Sequence, residues 1–161
     1  MIRPAERGDL DAIHAIESDS FPAPWRREFF ESELSAPGRF TLVATNADRV
    51  VGYIFAMWIF DEMHVNKIAV TSDERRKGIA QKLMHHCVDF AREHGVELIS
   101  LEVRQSNTGA QDFYRQLDFD SAYVRPRYYP DHEAAVIMTR KIGGLGPTPR
   151  GPRPRGPRPE A

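Results

Sequence analysis

Ile68-Ala69-Val70-Thr71-Ser72-Asp73-Glu74-Arg75-Arg76-Lys77-Gly78-Ile79-Ala80 joins a strand-like run to a helix-like one through a basic, small-residue turn. The apolar period changes across it. Upstream, His64 to Val70 has the composition of a strand. Downstream, Ile79, Leu83, Cys87 and Phe90, flanked by Ala80, Met84, Val88 and Ala91, make a wide helical stripe over Arg76–His94, closed by Gly95. Leu98–Val103 is again strand-like. A strand, a long helix and a strand in succession predict a parallel crossover inside a mixed sheet.

The turn itself has a chemical meaning. The first amides of a helix have no intrahelical partner and carry part of the macrodipole, so they attract anions. Gly78 lets an anion approach the backbone closely, and Arg75, Arg76 and Lys77 add positive charge beside it. A solvated basic patch is the plainer reading. Cations at the positive end of a helix are mismatched with the dipole, which favours an external anion, specifically a diphosphate-bearing ligand. Neither G-x-x-x-x-G-K-[ST] nor G-x-G-x-x-G is present, which weighs against the common nucleotide-binding classes.

Working outward, Ile13, Ile16 and Phe21 follow Asp9 at helical spacing and predict a first helix ending at the Phe21-Pro22-Ala23-Pro24 break. Trp25–Leu34 reads as a short second helix. Phe40–Thr45 and Arg49–Phe60 read as a β-hairpin across Asn46-Ala47-Asp48, Asn107–Leu117 as a further helix, and Phe119–Arg127 and Glu133–Lys141 as closing strands. All of this falls within residues 1–142. Residues 143–161 repeat Pro-Arg-Gly-Pro-Arg and carry four arginines, which predicts a disordered tail. A solvated extension touching RNA or acidic surfaces only weakly is the favoured reading.

A chain of 161 residues and 18.4 kDa suits one core. The formal net charge of -1 supplies no overall pull towards nucleic acid or a membrane surface, so neither is an expected partner. The longest apolar stretch, Tyr53 to Phe60, is too short for a bilayer, and a soluble, cytoplasmic protein is expected. Cys87 is the sole cysteine; it lies on the apolar stripe and reads as core rather than nucleophile. The six histidines show no metal-ligand spacing, so no metal is expected.

Ser100 and Glu102 share one face of their strand, opposite Ile99, Leu101 and Val103. From alternation alone, a solvent-facing Glu102 is favoured. Tyr114 follows Ala110 and precedes Leu117 at helical spacing, as a core-edge aromatic would. Trp25, Tyr128 and Tyr129 fall in loop segments, where recognition and stapling to the core are equally open readings.

The stretch Arg75-x-x-Gly78-x-Ala80 after Ile68-Ala69-Val70 resembles the acetyl-coenzyme A signature of the GNAT superfamily. Asp61-Glu62, Asn66, Leu101–Asn107, Phe113–Phe119 and Arg125–Pro130, in that order, look like its ribosomal-protein-alanine N-acetyltransferase type. Over residues 1–142 the resemblance implies an α/β (α+β) fold with a central twisted mixed sheet of six to seven strands flanked by four helices. It implies acetyl-coenzyme A as cosubstrate and a protein N-terminal amine as acceptor, on a ribosomal protein or a broader set. Acetylation of lysine side chains or small amines, or noncatalytic coenzyme binding, are the alternatives.

Site roles follow from the same resemblance. Glu102 would accept the amine's proton and Tyr114 would protonate the departing thiolate. Ile68, Ala69, Val70, Arg75, Arg76, Lys77, Gly78, Ile79, Ala80, Asn107 and Tyr114 would contact the coenzyme. Trp25, Tyr128 and Tyr129 would line the acceptor groove, and Asp61 and Glu62 would attract the positive terminus. An α-amine titrates at about 7.7–8.0 and a free Glu near 4.3, so a slight upward shift of Glu102 by burial is expected to improve the match. The chain departs from the family pattern at three places: Asp118 and Ala80 stand where glycine is usual, and Lys67 interrupts the Asn-Ile-Ala-Val run.

Overall fold

The computed structural model describes residues 1–143; the Pro/Arg-rich segment lies outside the described residues from 144 onward. Chain order is β1 (Ile2–Pro4), α1 (Leu10–Ser20), α2 (Arg27–Ser35), β2 (Arg39–Asn46), β3 (Arg49–Ile59), β4 (Glu62–Val70), α3 (Ile79–Glu93), β5 (Leu98–Arg104), α4 (Thr108–Gln116), β6 (Asp120–Arg125) and β7 (Ala135–Lys141). The seven strands form one sheet in the order β1-β2-β3-β4-β5-β7-β6. Every pairing is antiparallel except β4 with β5, the two strands that α3 connects. The expected crossover and mixed sheet are therefore present. β1 is an addition: at three residues it is too short to show alternation, yet it pairs Ile2 with Ala44.

Backbone chemistry sets the boundaries. Ala47 and Asp48 both have positive φ, 50° and 62°, as a tight hairpin matched to strand twist requires. Arg76 and Gly78 are left-handed at 65° and 79°, so α3 begins at Ile79 rather than at Arg76. At the end of α4, Asp118 takes φ 67°, the conformation for which glycine is usual and Asp is tolerated.

Helices cover both faces. Leu83, Met84, Cys87 and Val88 of α3 join Ile54, Met63, Val65 and Leu101 in one core. Leu10, Ile13 and Ile16 of α1 and Phe30 of α2 join Val43, Tyr53 and Phe55 in the other. Cys87 Sγ lies 3.7 Å from Met63 Sδ, and burial pushes its thiol up to about 12, as befits a core side chain.

One irregularity organises the middle of the sheet. Across β3, Ala56 pairs with Val65 and Phe55 with Lys67, so Asn66 is an extra residue that bulges β4. β4 and β5 pair only from Glu62↔Leu98 to Val65↔Leu101. Beyond that point β4 continues with β3 alone, while Glu102–Arg104 continue with β7 alone. The two central strands therefore part into a fork.

Two loops are tied down on the α1/α2 face of this fork. Glu17, at the end of α1, is fully buried. It accepts from Tyr53 OH at 2.5 Å and from the Trp25 amide at 2.9 Å, and Lys67 Nζ lies 2.9 Å away. Lys67 Nζ also sits 4.1 Å from the centre of the Phe21 ring. The α1–α2 loop is thereby pinned to β4 just past its bulge. Between β6 and β7, Glu133 accepts from the Ser106 amide at 2.8 Å and pairs with Arg104 at 2.9 Å. Arg104 in turn lies 4.1 Å over the Tyr129 ring. Ser106 first, and then Arg104, hold the Glu133 carboxyl down at about 2.

Two outcomes follow. Lys67→Met strands the Glu17 charge in the interior and should cost about 3 kcal/mol in urea denaturation; a loss below about 1 kcal/mol would show that the pair is dispensable. A carboxyl depressed in the folded state stabilises fully above its ordinary pKa and loses that contribution as pH falls through its folded value. The protection of the Tyr128 and Tyr129 amides, measured against their intrinsic exchange at each pH, should accordingly fall between pH 4.5 and about 2. It should already be low at neutral pH in Glu133→Gln.

Candidate active site

Glu102 sits on β5 at the first position beyond the β4 pairing, so its side chain stands at the mouth of the fork. Pairing carries its face outwards: Ile137 lies opposite it on β7 and Tyr123 opposite Ile137 on β6, on the side of the sheet away from α3. Glu102 Oε1 accepts from Tyr128 OH at 2.8 Å, and Oε2 lies 3.1 Å from His64 Nε2. His64 Nδ1 is 2.7 Å from Ser100 Oγ. Burial raises the Glu102 pKa, as expected from its position, but His64, Tyr128 and Arg125 outweigh that and hold the carboxyl below its ordinary value. The expected small upward shift is therefore reversed, because three partners favour the charged form.

Tyr114 approaches from the opposite side. It lies on α4, packs against the α3-side core and meets the Phe119 ring edge-on at 5.9 Å. Burial, and after it the nearby Tyr129 phenol, push its hydroxyl well above the ordinary tyrosine value, so it holds its proton at neutral pH. Glu102 and Tyr114 thus lie on the two faces of the sheet, linked through Tyr129, whose phenol acts on the Tyr114 hydroxyl and on Glu102.

The α3 start is open. Its first turn has no acidic residue and no side-chain cap, and space is free where a Cβ would stand on Gly78. A cavity of about 370 Å³ is lined there by Val70, Arg76, Gly78, Ile79, Ala80 and Phe113. The three cations divide. Arg75 donates to the Val70 carbonyl at 3.0 Å, Lys77 pairs with buried Glu74 at 3.1 Å, and Arg76 has no side-chain partner among the described residues. Arg75 and Arg76 both line the cavity, and Lys77 is drawn aside to Glu74.

Other expected residues fall as follows. Ile68, Ala69 and Val70 form the free edge of β4 inside the fork. Asn107 caps α4, its Oδ1 accepting from the Ala110 amide at 3.1 Å. Trp25 packs tilted on Phe29 and Phe30 at 4.5 and 5.1 Å, which makes it both a staple and part of the loop over Lys67. Tyr128 and Tyr129 overhang Glu102. Asp61 and Glu62 do not join this group: they lie at the β3–β4 turn, where the Asp61 carbonyl accepts from Glu97 and Leu98 at 2.7 and 3.2 Å. That is the end of β4 opposite the fork. Charge and the resemblance together placed them at the acceptor groove; the strand direction sets them at the far end of β4 from the fork.

His64 and Ser100 were missed as site residues. Their faces are readable from alternation, but their pairing across two strands 36 positions apart is not.

Comparison with known proteins places the chain among acetyltransferases. The ribosomal protein bS18-alanine N-acetyltransferase of Salmonella typhimurium is 34% identical over 138 residues, covering 83% of this chain and 92% of its own length. An N-alpha-acetyltransferase of Saccharolobus solfataricus is 34% identical over 154 residues, covering 88% and 92%. The crystal structure of the ribosomal-protein-S18-alanine N-acetyltransferase from Escherichia coli superposes with a TM-score of 0.84 at 30% identity, over 94% of this chain and 99% of that one. The model of the acetyltransferase (GNAT) family matches residues 10–119. Motif order, the forked sheet and these matches coincide, and the chain belongs to the GNAT acetyltransferase family.

Proposed function

We propose that this enzyme transfers the acetyl group of acetyl-coenzyme A to the α-amino group of a protein N-terminus, an alanine of a ribosomal protein or a broader set. The observation that carries the reading is the fork at Asn66, with Glu102 on one face and Tyr114 on the other. Relatives named for bS18 alanine and for N-α-acetylation in general support the acceptor class.

The residues present suit the cosubstrate. The unpartnered amides at Gly78, Ile79 and Ala80 and the Arg76 guanidinium would hold its diphosphate, and the free edge of Ile68–Val70 would hold its extended arm. Bound there, it supplies an activated acetyl thioester. On the α1/α2 face, the loop carrying Trp25 stands over β4 and the loop carrying Tyr128 and Tyr129 stands over β5, and the acceptor peptide would lie between them. Glu102, ionised at neutral pH, receives the proton that the amine sheds on attack. Tyr114, still protonated, supplies one to the departing sulfur from the other face.

Thiol release with short peptides differing only in their first residue tests the reading. Peptides with free N-termini should turn over, and blocked peptides bearing an internal lysine should not; the reverse preference would replace it with side-chain acetylation. Glu102→Gln and Tyr114→Phe should each lower kcat by about 100-fold or more while the coenzyme KM stays within about twofold. Arg76→Ala should do the converse, raising the coenzyme KM roughly tenfold with kcat intact.

A further inference from the structure

His64 stands directly behind Glu102 and has no task in the transfer as described above. Parallel pairing sets it opposite Ser100, so its ring lies between the two outward-facing side chains of β5. Both ring nitrogens are engaged, Nδ1 at 2.7 Å from Ser100 Oγ and Nε2 at 3.1 Å from Glu102 Oε2. A hydroxyl can donate or accept, so Ser100 satisfies Nδ1 whether the ring is neutral or protonated. The His64 and Glu102 side chains are only 20% and 18% exposed, which limits exchange of this pair with bulk water.

We propose that His64 is a positioning residue for Glu102, one whose Nε2–H holds the carboxylate aimed into the fork. The proposal rests on the acetyl-transfer reading. In that step the amine nitrogen bonds to the acetyl carbon, the carbon–sulfur bond breaks with its electron pair leaving on sulfur, and the nitrogen loses one proton to Glu102. The ring keeps Nε2–H donated to Oε2 and Nδ1 turned to Ser100 Oγ, so the carboxyl holds its place while its new proton passes to water. Sulfur gains its own proton from the Tyr114 side.

The charged and titratable groups on the same face include Glu62 and Lys67 on β4, with Glu17 of α1 paired to Lys67, and Arg104 on β5 itself, paired to Glu133. Tyr123 and Arg125 face it from β6, and Tyr128 and Tyr129 from the following loop. Arg125 already lowers the Glu102 carboxyl, so removing His64 leaves that influence in place.

The test is His64→Ala, with His64→Gln, whose amide can still donate a hydrogen bond to Glu102, as the variant that should restore most of the rate. Expected of His64→Ala are a kcat lower by on the order of tenfold, an unchanged coenzyme KM and an acidic limb of the pH–rate profile displaced from that of the wild type. A superimposable profile at wild-type rate would overturn the proposal while leaving acetyl transfer intact. Independently of turnover, carboxyl-carbon NMR should show the Glu102 midpoint rising in His64→Ala, since His64 lowers it; an unmoved midpoint also overturns the proposal. Ser100→Ala should displace the same limb by a smaller amount and guards against a folding defect in the first variant.

Discussion

A single extra residue in β4 holds the arrangement together. Were Asn66 in register, β4 and β5 would pair along their whole length and the centre of the sheet would be closed. The bulge bends one strand away, and both keep their hydrogen bonds by turning to outer neighbours, β3 and β7. The opening therefore leaves each strand laddered on its outer side. It also exposes one edge of β4 backbone, over Ile68–Val70, with which an extended ligand could pair.

Everything near the fork is arranged around that gap. Because α3 follows β4 through a turn with left-handed Arg76 and Gly78, its uncapped start opens towards the same end of the strand. On the far face, two separate ion-pair networks fix the flanking loops: Glu17 with Lys67 and Tyr53, and Glu133 with Arg104 and the Ser106 amide. Lys67 interrupts the family pattern, and the structure gives the reason it is tolerated: its ammonium is neutralised by a buried carboxylate and rests on the Phe21 ring.

Much of this was legible in the residues. The period switch at Gly78 marks strand, turn and helix because apolar spacing changes from two to three or four, and the positions of α1 to α4 and of β2 to β7 follow from the same logic. Asp118 was readable as a left-handed end. The bulge was not, since Val65-Asn66-Lys67 alternates like any strand and only the β3 register shows the surplus residue. Nor was the His64–Glu102 contact, which depends on which residues of two parallel strands fall side by side. The place of Asp61 and Glu62 was hidden for a related reason: composition reports charge, whereas only topology reports which end of a strand carries it.

The central claim is that the fork brings a thioester, held from the α3 start, between Glu102 and Tyr114. A crystal structure with coenzyme A and an N-terminal peptide measures this directly. The account predicts the diphosphate on the amides of Gly78 to Ala80, the sulfur inside the fork near Tyr114, and the peptide's amine beside Glu102 on the opposite face. A sulfur outside the fork, or a peptide entering from the α3 side, would contradict it.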